Sequence, residues 1–272
     1  MTFIDQLNKV IVAVPTYNER ESLPIIIRRI RQAVPPIHIL IVDDASPDGT
    51  GELADALAEK DEHLHVLHRS AKEGLGPAYL HAFSWAQQAG YQWVGQMDAD
   101  GSHRPEQFLR LLSRAIKAPD QPELVIGSRW TRGGAVNGWA RHRELLSRGA
   151  NTYIALWLGL GVGDATAGFR LYRVSLFDRL DLSLVNSAGY CFQIEMTRRA
   201  RHVGATIAEV PITFDEREHG VSKMSGNIIT EALTQVTKWG MVDRYTQLKR
   251  LLGVQHTVKE GAVAGSCHRR TL

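Results

Sequence analysis

Short apolar runs rich in β-branched residues recur through the first half of the chain, the first four each followed by a stretch with helical spacing. The runs fall at residues 9–14, 37–42, 64–67, 91–97 and 123–127. Runs of this length without polar alternation suit strands buried on both faces, as in parallel sheets. Helical spacing occupies residues 19–33, 47–60, 75–89 and 105–118. Ser46 is expected to cap the second of these helices, with Pro47 at its first position, and Gly90 to stop the third. The alternation predicts an α/β fold with a mostly parallel central sheet and helices on both faces. In such sheets ligands bind beyond the carboxyl ends of the strands.

Polar loops follow the first, second and fourth runs, at residues 15–19, 43–50 and 98–103. The last opens with Asp98-Ala99-Asp100. Positions two apart in an extended strand lie on the same side, so both carboxylates can face one point. A cation is expected between them, since alone they repel. Hard oxygen ligands suit Mg2+ or Mn2+, which often bridge a carboxylate to a substrate diphosphate. In isolation the same tripeptide also reads as a solvated turn.

Composition removes several functions. A chain of 272 residues with a formal charge of +3 and no dense Lys/Arg run in its main body does not suggest nucleic-acid binding. Its two cysteines, Cys191 and Cys267, stand far apart, which argues against a disulfide framework and fits a reducing compartment. No basic-then-apolar leader and no apolar stretch near the roughly 20 residues needed to span a bilayer are present. Expected further on are a Gly-rich mobile loop at 131–138, a helix at 143–158, a strand at 169–172 and a helix at 190–203. A strand at 206–214 with Pro211 at an edge or bulge, a charged loop at 215–226 and a long basic-ended helix at 227–252 follow. The reading is one domain over residues 1–252 and a disordered tail over 253–272.

Taken in order, several segments resemble the family-2 glycosyltransferases of GT-A fold, a Rossmann-like architecture. They look specifically like the dolichyl-phosphate (polyprenyl-phosphate) mannosyltransferases. The segments are Val14-Pro15-Thr16-Tyr17-Asn18-Glu19, Val42-Asp43-Asp44-Ala45-Ser46-Pro47-Asp48-Gly49-Thr50 and Met97-Asp98-Ala99-Asp100-Gly101-Ser102-His103-Arg104-Pro105. Gly127-Ser128-Arg129, Gly168-Phe169-Arg170-Leu171-Tyr172-Arg173, Phe192-Gln193-Ile194-Glu195-Met196 and Glu216-Arg217, with Gly220, Ser222 and Lys223, continue the series. Each is weak alone; the ordered series is specific.

The resemblance implies transfer of mannose from GDP-mannose to a polyprenyl phosphate with inversion. It places Pro15, Tyr17, Glu19, Val42 and Asp44 around the nucleoside. It gives Asp98, Asp100 and Ser102 to the metal and Ala99 to the diphosphate. Arg129, Arg217 and Lys223 would bind phosphate oxygens, with Arg143 on the acceptor phosphate. Asp100, Arg129, Arg217 and Lys223 are the catalytic candidates. Ser102 stands where some relatives carry a longer Gln. Asp43 reads as a loop-stabilising residue, while His103, Arg148, Arg170, Arg173 and Glu195 carry both structural and functional readings. The implied setting is cytoplasmic and peripheral to a membrane, with a separate membrane protein as anchor. UDP-glucose as donor, or a non-catalytic sugar-nucleotide-binding subunit, are the alternatives.

Overall fold

A computed structural model describes residues 3–185, 187, 189–216 and 226–251. Arg217, Lys223 and the tail at 253–272 lie outside these described residues. The chain opens with α1 (Phe3–Leu7), β1 (Val10–Thr16), α2 (Leu23–Ala33), β2 (His38–Asp43), α3 (Thr50–Ala58) and β3 (Leu64–His68). It continues through α4 (Leu75–Gln88), β4 (Trp93–Gln96), α5 (Phe108–Lys117), β5 (Leu124–Ser128), β6 (Ala135–Val136) and α6 (Arg141–Leu158). It ends with β7 (Arg170–Arg173), α7 (Gly189–His202), β8 (Ile207–Pro211), β9 (Thr213–Phe214) and α8 (Gly226–Leu251).

Seven strands form one sheet in the order β3-β2-β1-β4-β7-β5-β8. All pairs are parallel except those of β7, which runs antiparallel to both β4 and β5. The predicted α/β class and mostly parallel sheet are therefore what forms. Alternation along β1 divides the core. Val10, Val12 and Val14 pack with Ile26 and Ile30 of α2 and Leu111 of α5. Ile11 and Ala13 pack on the other face with Tyr79 and Phe83 of α4 and Phe192 of α7. β1 pairs with β2 on one side and β4 on the other. The strand order reverses across β1, and the crevice there opens at the carboxyl ends.

Several expected boundaries shift, each for a local reason. α2 begins at Leu23 rather than residue 19, because the backbone before it is held by the loop after β2. Asn18 N–H donates to Ser46 Oγ (3.1 Å) and Glu19 N–H to Thr50 Oγ1 (3.0 Å). Ser46 does not cap α3. Its hydroxyl donates to Asp43 Oδ1 (2.6 Å), and Gly49, at φ 83°, precedes the helix instead. That left-handed conformation favours glycine. The expected strand at 206–214 divides after Pro211, which ends the edge strand β8. β9 then leaves to pair with β6, so part of the Gly-rich segment 131–138 is a strand.

Candidate active site

The loops after β1, β2 and β4 emerge side by side, because Thr16 is in register with Asp43 and Ala13 with Gln96. β7 runs the opposite way, so the residues just before it, Gly168 and Phe169, reach the same end. The sequence-predicted loops thus converge with a fourth that local patterning could not place.

Asp98 retains 28% side-chain exposure, whereas Asp100 is buried. Asp100 Oδ1 accepts the Ser102 N–H (3.0 Å) and the Ser102 hydroxyl (2.6 Å). Ser102 is itself 0% exposed. The structure therefore turns this expected metal ligand into the residue that orients Asp100. Asp98 N–H donates to His103 Nδ1 (3.1 Å), leaving the ring proton on Nε2. His103 is buried and stacked on Phe169 (centroids 5.0 Å apart), a structural placement. A Cβ on Gly168 would lie 4.0 Å from Asp98 Oδ1 and 3.5 Å from the His103 ring. Below the pair sits the Tyr79 phenol. Burial raises its pKa well above the ordinary value, and the charges of Asp98 and Asp100 push the same way.

The donor set suits a divalent cation such as Mg2+ or Mn2+. It consists of two hard carboxylates, one exposed and one fixed by a buried hydroxyl. Among the described residues no group of three or more His, Cys, Asp or Glu is arranged to hold a metal. Mg2+ sites are commonly built on one or two carboxylates together with substrate phosphates, and this pair matches that pattern.

On the β1–β2 side, Tyr17 is half-buried and carries the Lys72 ammonium 3.7 Å above its ring. Sequence reasoning missed Lys72, which lies in a loop without a motif. Glu19 accepts the Ser22 hydroxyl (2.5 Å). Asp44 is buried and paired with Arg69, and its second oxygen accepts the Gly74 N–H (3.3 Å). Ala45 adopts φ 55°, an uncommon conformation for a residue with a Cβ. Asp43 accepts from Thr16 and Ser46, the loop-stabilising role expected of it. Pro15 is in register with Val42 and half-buried. Val42 is 0% exposed with its side chain in the core, so it does not face the crevice as expected. Ala99 is also buried, beside Asp100 and Gly101 in a small cleft under Arg29.

Arg129 follows β5 directly and turns its guanidinium onto Asp164. Nε donates to Oδ2 (2.7 Å), Nη2 to Oδ1 (2.6 Å), and the Arg129 backbone N–H to Oδ2 (2.9 Å). Burial alone would raise the Asp164 pKa, yet the Arg129 charge and these bonds hold it below the usual carboxylate range. Arg129 Nη2 also reaches Thr166 Oγ1 (2.8 Å). Nothing in the sequence links positions 129 and 164. Around the pair, guanidinium groups and indoles alternate. Arg148 covers Trp130 (4.3 Å), Arg129 lies between Trp130 (5.3 Å) and Trp139 (5.6 Å), and Arg143 covers Trp139 (4.0 Å). Arg143 also donates to Glu216 (3.4 Å). Glu195 pairs with Arg199, one turn along α7. Arg148 pairs with Glu144, and Arg173 lies over Trp93 (5.4 Å).

The family profile described as Glycosyl transferase family 2 matches residues 11–181. The chain is 52% identical over 247 residues to a Mycolicibacterium smegmatis protein named polyprenol monophosphomannose synthase, covering 90% of this chain and 91% of that one. It is 49% identical over 246 residues to a Micrococcus luteus undecaprenyl-phosphate mannosyltransferase, covering 90% of this chain and 100% of that one. The fold is also that of Mycobacterium tuberculosis glucosyl-3-phosphoglycerate synthase, solved with Mn2+, UDP and glucosyl-3-phosphoglycerate. That similarity has a TM-score of 0.61 at 19% identity, over 90% of this chain and 84% of the other. The GT-A architecture and the two curated relatives agree, and the chain belongs to glycosyltransferase family 2.

Proposed function

We propose that this glycosyltransferase moves mannose from GDP-mannose to a polyprenyl phosphate, inverting the anomeric centre. The observation that carries the reading is the identity of about half, across nine-tenths of the chain, to two enzymes named as polyprenyl-phosphate mannose synthases. In this reading Asp98 and Asp100 would hold the divalent cation. When bound, that cation neutralises charge on the departing diphosphate.

The protein's own groups position and screen. The acceptor is a phosphate monoester with a second pKa near 6, so its attacking oxygen is anionic at neutral pH and needs no strong general base. That oxygen bonds to the anomeric carbon as the bond to the donor β-phosphate breaks, and GDP departs. Tyr17, Glu19, Lys72 and the loop fixed by Asp43 and Asp44 shape the nucleoside side. Arg217, Lys223 and Arg143 would screen the two phosphate groups from each other, while the Arg129 guanidinium is tied to Asp164. Catalysis here is alignment and electrostatics.

No helix among the described residues is long and apolar enough to cross a membrane. α6 and α8 nevertheless expose Leu145 (70%), Leu156 (72%) and Tyr245 (59%), fringed by Arg244 and Lys249. This face supports peripheral contact with the acceptor's membrane, directly or beside an anchoring protein. The test is transfer of labelled mannose from GDP-mannose to a short-chain polyprenyl phosphate, with and without chelator, in competition with UDP-glucose. Preference for UDP-glucose would replace the donor; undiminished transfer in chelator would remove the metal.

A further inference from the structure

We propose that Arg170 is a positioning residue for the aspartate pair, fixing the 164–168 loop against Asp98. The inference rests on the reading that Asp98 and Asp100 hold a divalent cation with the donor diphosphate. Arg170 is 0% exposed, and among the described residues no carboxylate forms an ion pair with it. A guanidinium keeps its charge in any protein, and burying it without a counter-charge is costly unless its donors are met. Here they are met by neutral oxygens. Nε donates to Ala167 O (2.7 Å) and Nη2 to Ala165 O (2.8 Å). Nη1 reaches Tyr172 Oη (3.1 Å), Gln193 O (3.0 Å) and Thr197 Oγ1 (2.9 Å).

The acceptors decide the role. Ala165 and Ala167 belong to the loop; Gln193 and Thr197 belong to α7. One side chain therefore ties the loop to a helix packed under the sheet. That loop bears on two parts of the site. Asp164 and Thr166 grip Arg129, and Gly168 lies beside Asp98 Oδ1 and the His103 ring. Arg170 also stands opposite Gln96 in the β4–β7 register, two residues before Asp98. A neutral or shorter side chain at 170 would release both carbonyls and leave the loop free to move against Asp98. Misplacement of about 1 Å at such a site costs about 10²-fold in rate.

The test compares Mn2+ binding in the presence of GDP, read from the free-ion signal in electron paramagnetic resonance, across three variants. Arg170→Lys shortens the reach and removes the fork. Thr197→Val deletes one acceptor at nearly constant volume and covers the case in which Arg170→Lys does not fold. Asp100→Ala is the control for the metal reading. The expected result is Mn2+ affinity about 10–100-fold weaker in Arg170→Lys, the range seen when outer hydrogen-bond partners of metal sites are removed. Thr197→Val should show a smaller weakening of at least threefold, with its melting temperature within a few degrees of wild type. A role confined to stability would lower the active fraction and leave the Mn2+ affinity of the folded molecules unchanged. Wild-type affinity in folded Thr197→Val and Arg170→Lys, with loss in Asp100→Ala, would overturn the positioning role alone. Wild-type affinity in Asp100→Ala would sink the metal reading and this inference with it.

Discussion

Replacing Asp164 by Asn tests whether the Arg129 pair is held by charge or by shape. The Asp164 side chain is 0% exposed and that of Arg129 6%, so neither is rescued by water. Three bonds run from Arg129 to this carboxylate. An Asn keeps one acceptor oxygen, turns an NH2 towards a donor, and removes the Asp164 charge from beside a buried guanidinium. Breaking a buried pair from one side costs about 3–5 kcal/mol. For a chain of this size each kcal/mol lowers the melting temperature by about 2–4 °C, so Asp164→Asn should melt roughly 6–20 °C below wild type. The double variant Arg129→Met with Asp164→Leu removes both charges at similar volume. It should recover to within about 1 kcal/mol of wild type, since apolar replacement of a buried pair is often neutral or better. Differential scanning calorimetry on wild type, Asp164→Asn and the double variant makes the comparison. A double variant as unstable as the single one would refute the reasoning, because the loss would then lie in packing rather than in an uncompensated charge. The same protein separates stability from chemistry. If it is stable and transfers mannose at the wild-type rate, Arg129 has no part in the reaction.

Asp100→Ala should abolish transfer while circular dichroism stays native, and full turnover would remove Asp100 from the machinery. Ser102→Ala should keep the fold but weaken the Mn2+ affinity measured by isothermal titration about 10–100-fold, through loss of the hydroxyl that orients Asp100; unchanged affinity would show that Asp100 needs no such support. Arg217→Ala and Lys223→Ala should each lose transfer with native circular dichroism, and unfolding would assign them to structure instead. The His38 pKa is lowered to about 4 by burial first, then by the charges of His63 and His65. The folded ring is neutral where the unfolded one begins to protonate near 6.5, so stability is complete above pH 6.5 and is lost as pH falls towards 4. Discounted for solvent around a half-exposed ring, the loss is roughly 1–2 kcal/mol, and His38→Gln should flatten the melting temperature across that window.

Much of this arrangement is legible in the sequence because its causes are local. The buried runs that become β1, β2 and β4 carry their own pattern, and the polar loops at their ends follow from it. The Asp98–Asp100 pair is visible because two carboxylates so close demand a reason. What stays hidden depends on pairings made across the fold. Nothing in residues 170–173 states that they run antiparallel, since strand direction is set by the connection and not by composition. The capture of Arg129 by Asp164 joins positions 35 residues apart, through side chains common in any loop. Ser102 shares the motif with its aspartates, yet its orientation towards Asp100 rather than the crevice is decided by the turn. Val42 fails as a crevice residue for a related reason. It lies at the strand end, but alternation sends its side chain into the core.

The antiparallel strand has a consequence for how the molecule is made. β1, β2, β3 and β4 can pair among themselves once residue 96 has emerged, and they already carry the polar loops at their carboxyl ends. β5 cannot join them directly. Its sheet neighbours among the described residues are β7 and β8, at residues 170–173 and 207–211. During synthesis at about 5–20 residues per second, the open edge of β4 and the orphan β5 therefore wait for seconds. An unpaired apolar strand edge invites association with other nascent chains. When Arg170 arrives it enters with the strand that closes this gap, so the residue that fixes the loop beside Asp98 is also among the last to complete the sheet. Chaperone dependence should accordingly concentrate in chains halted between residues 128 and 170, and fall once β7 is available.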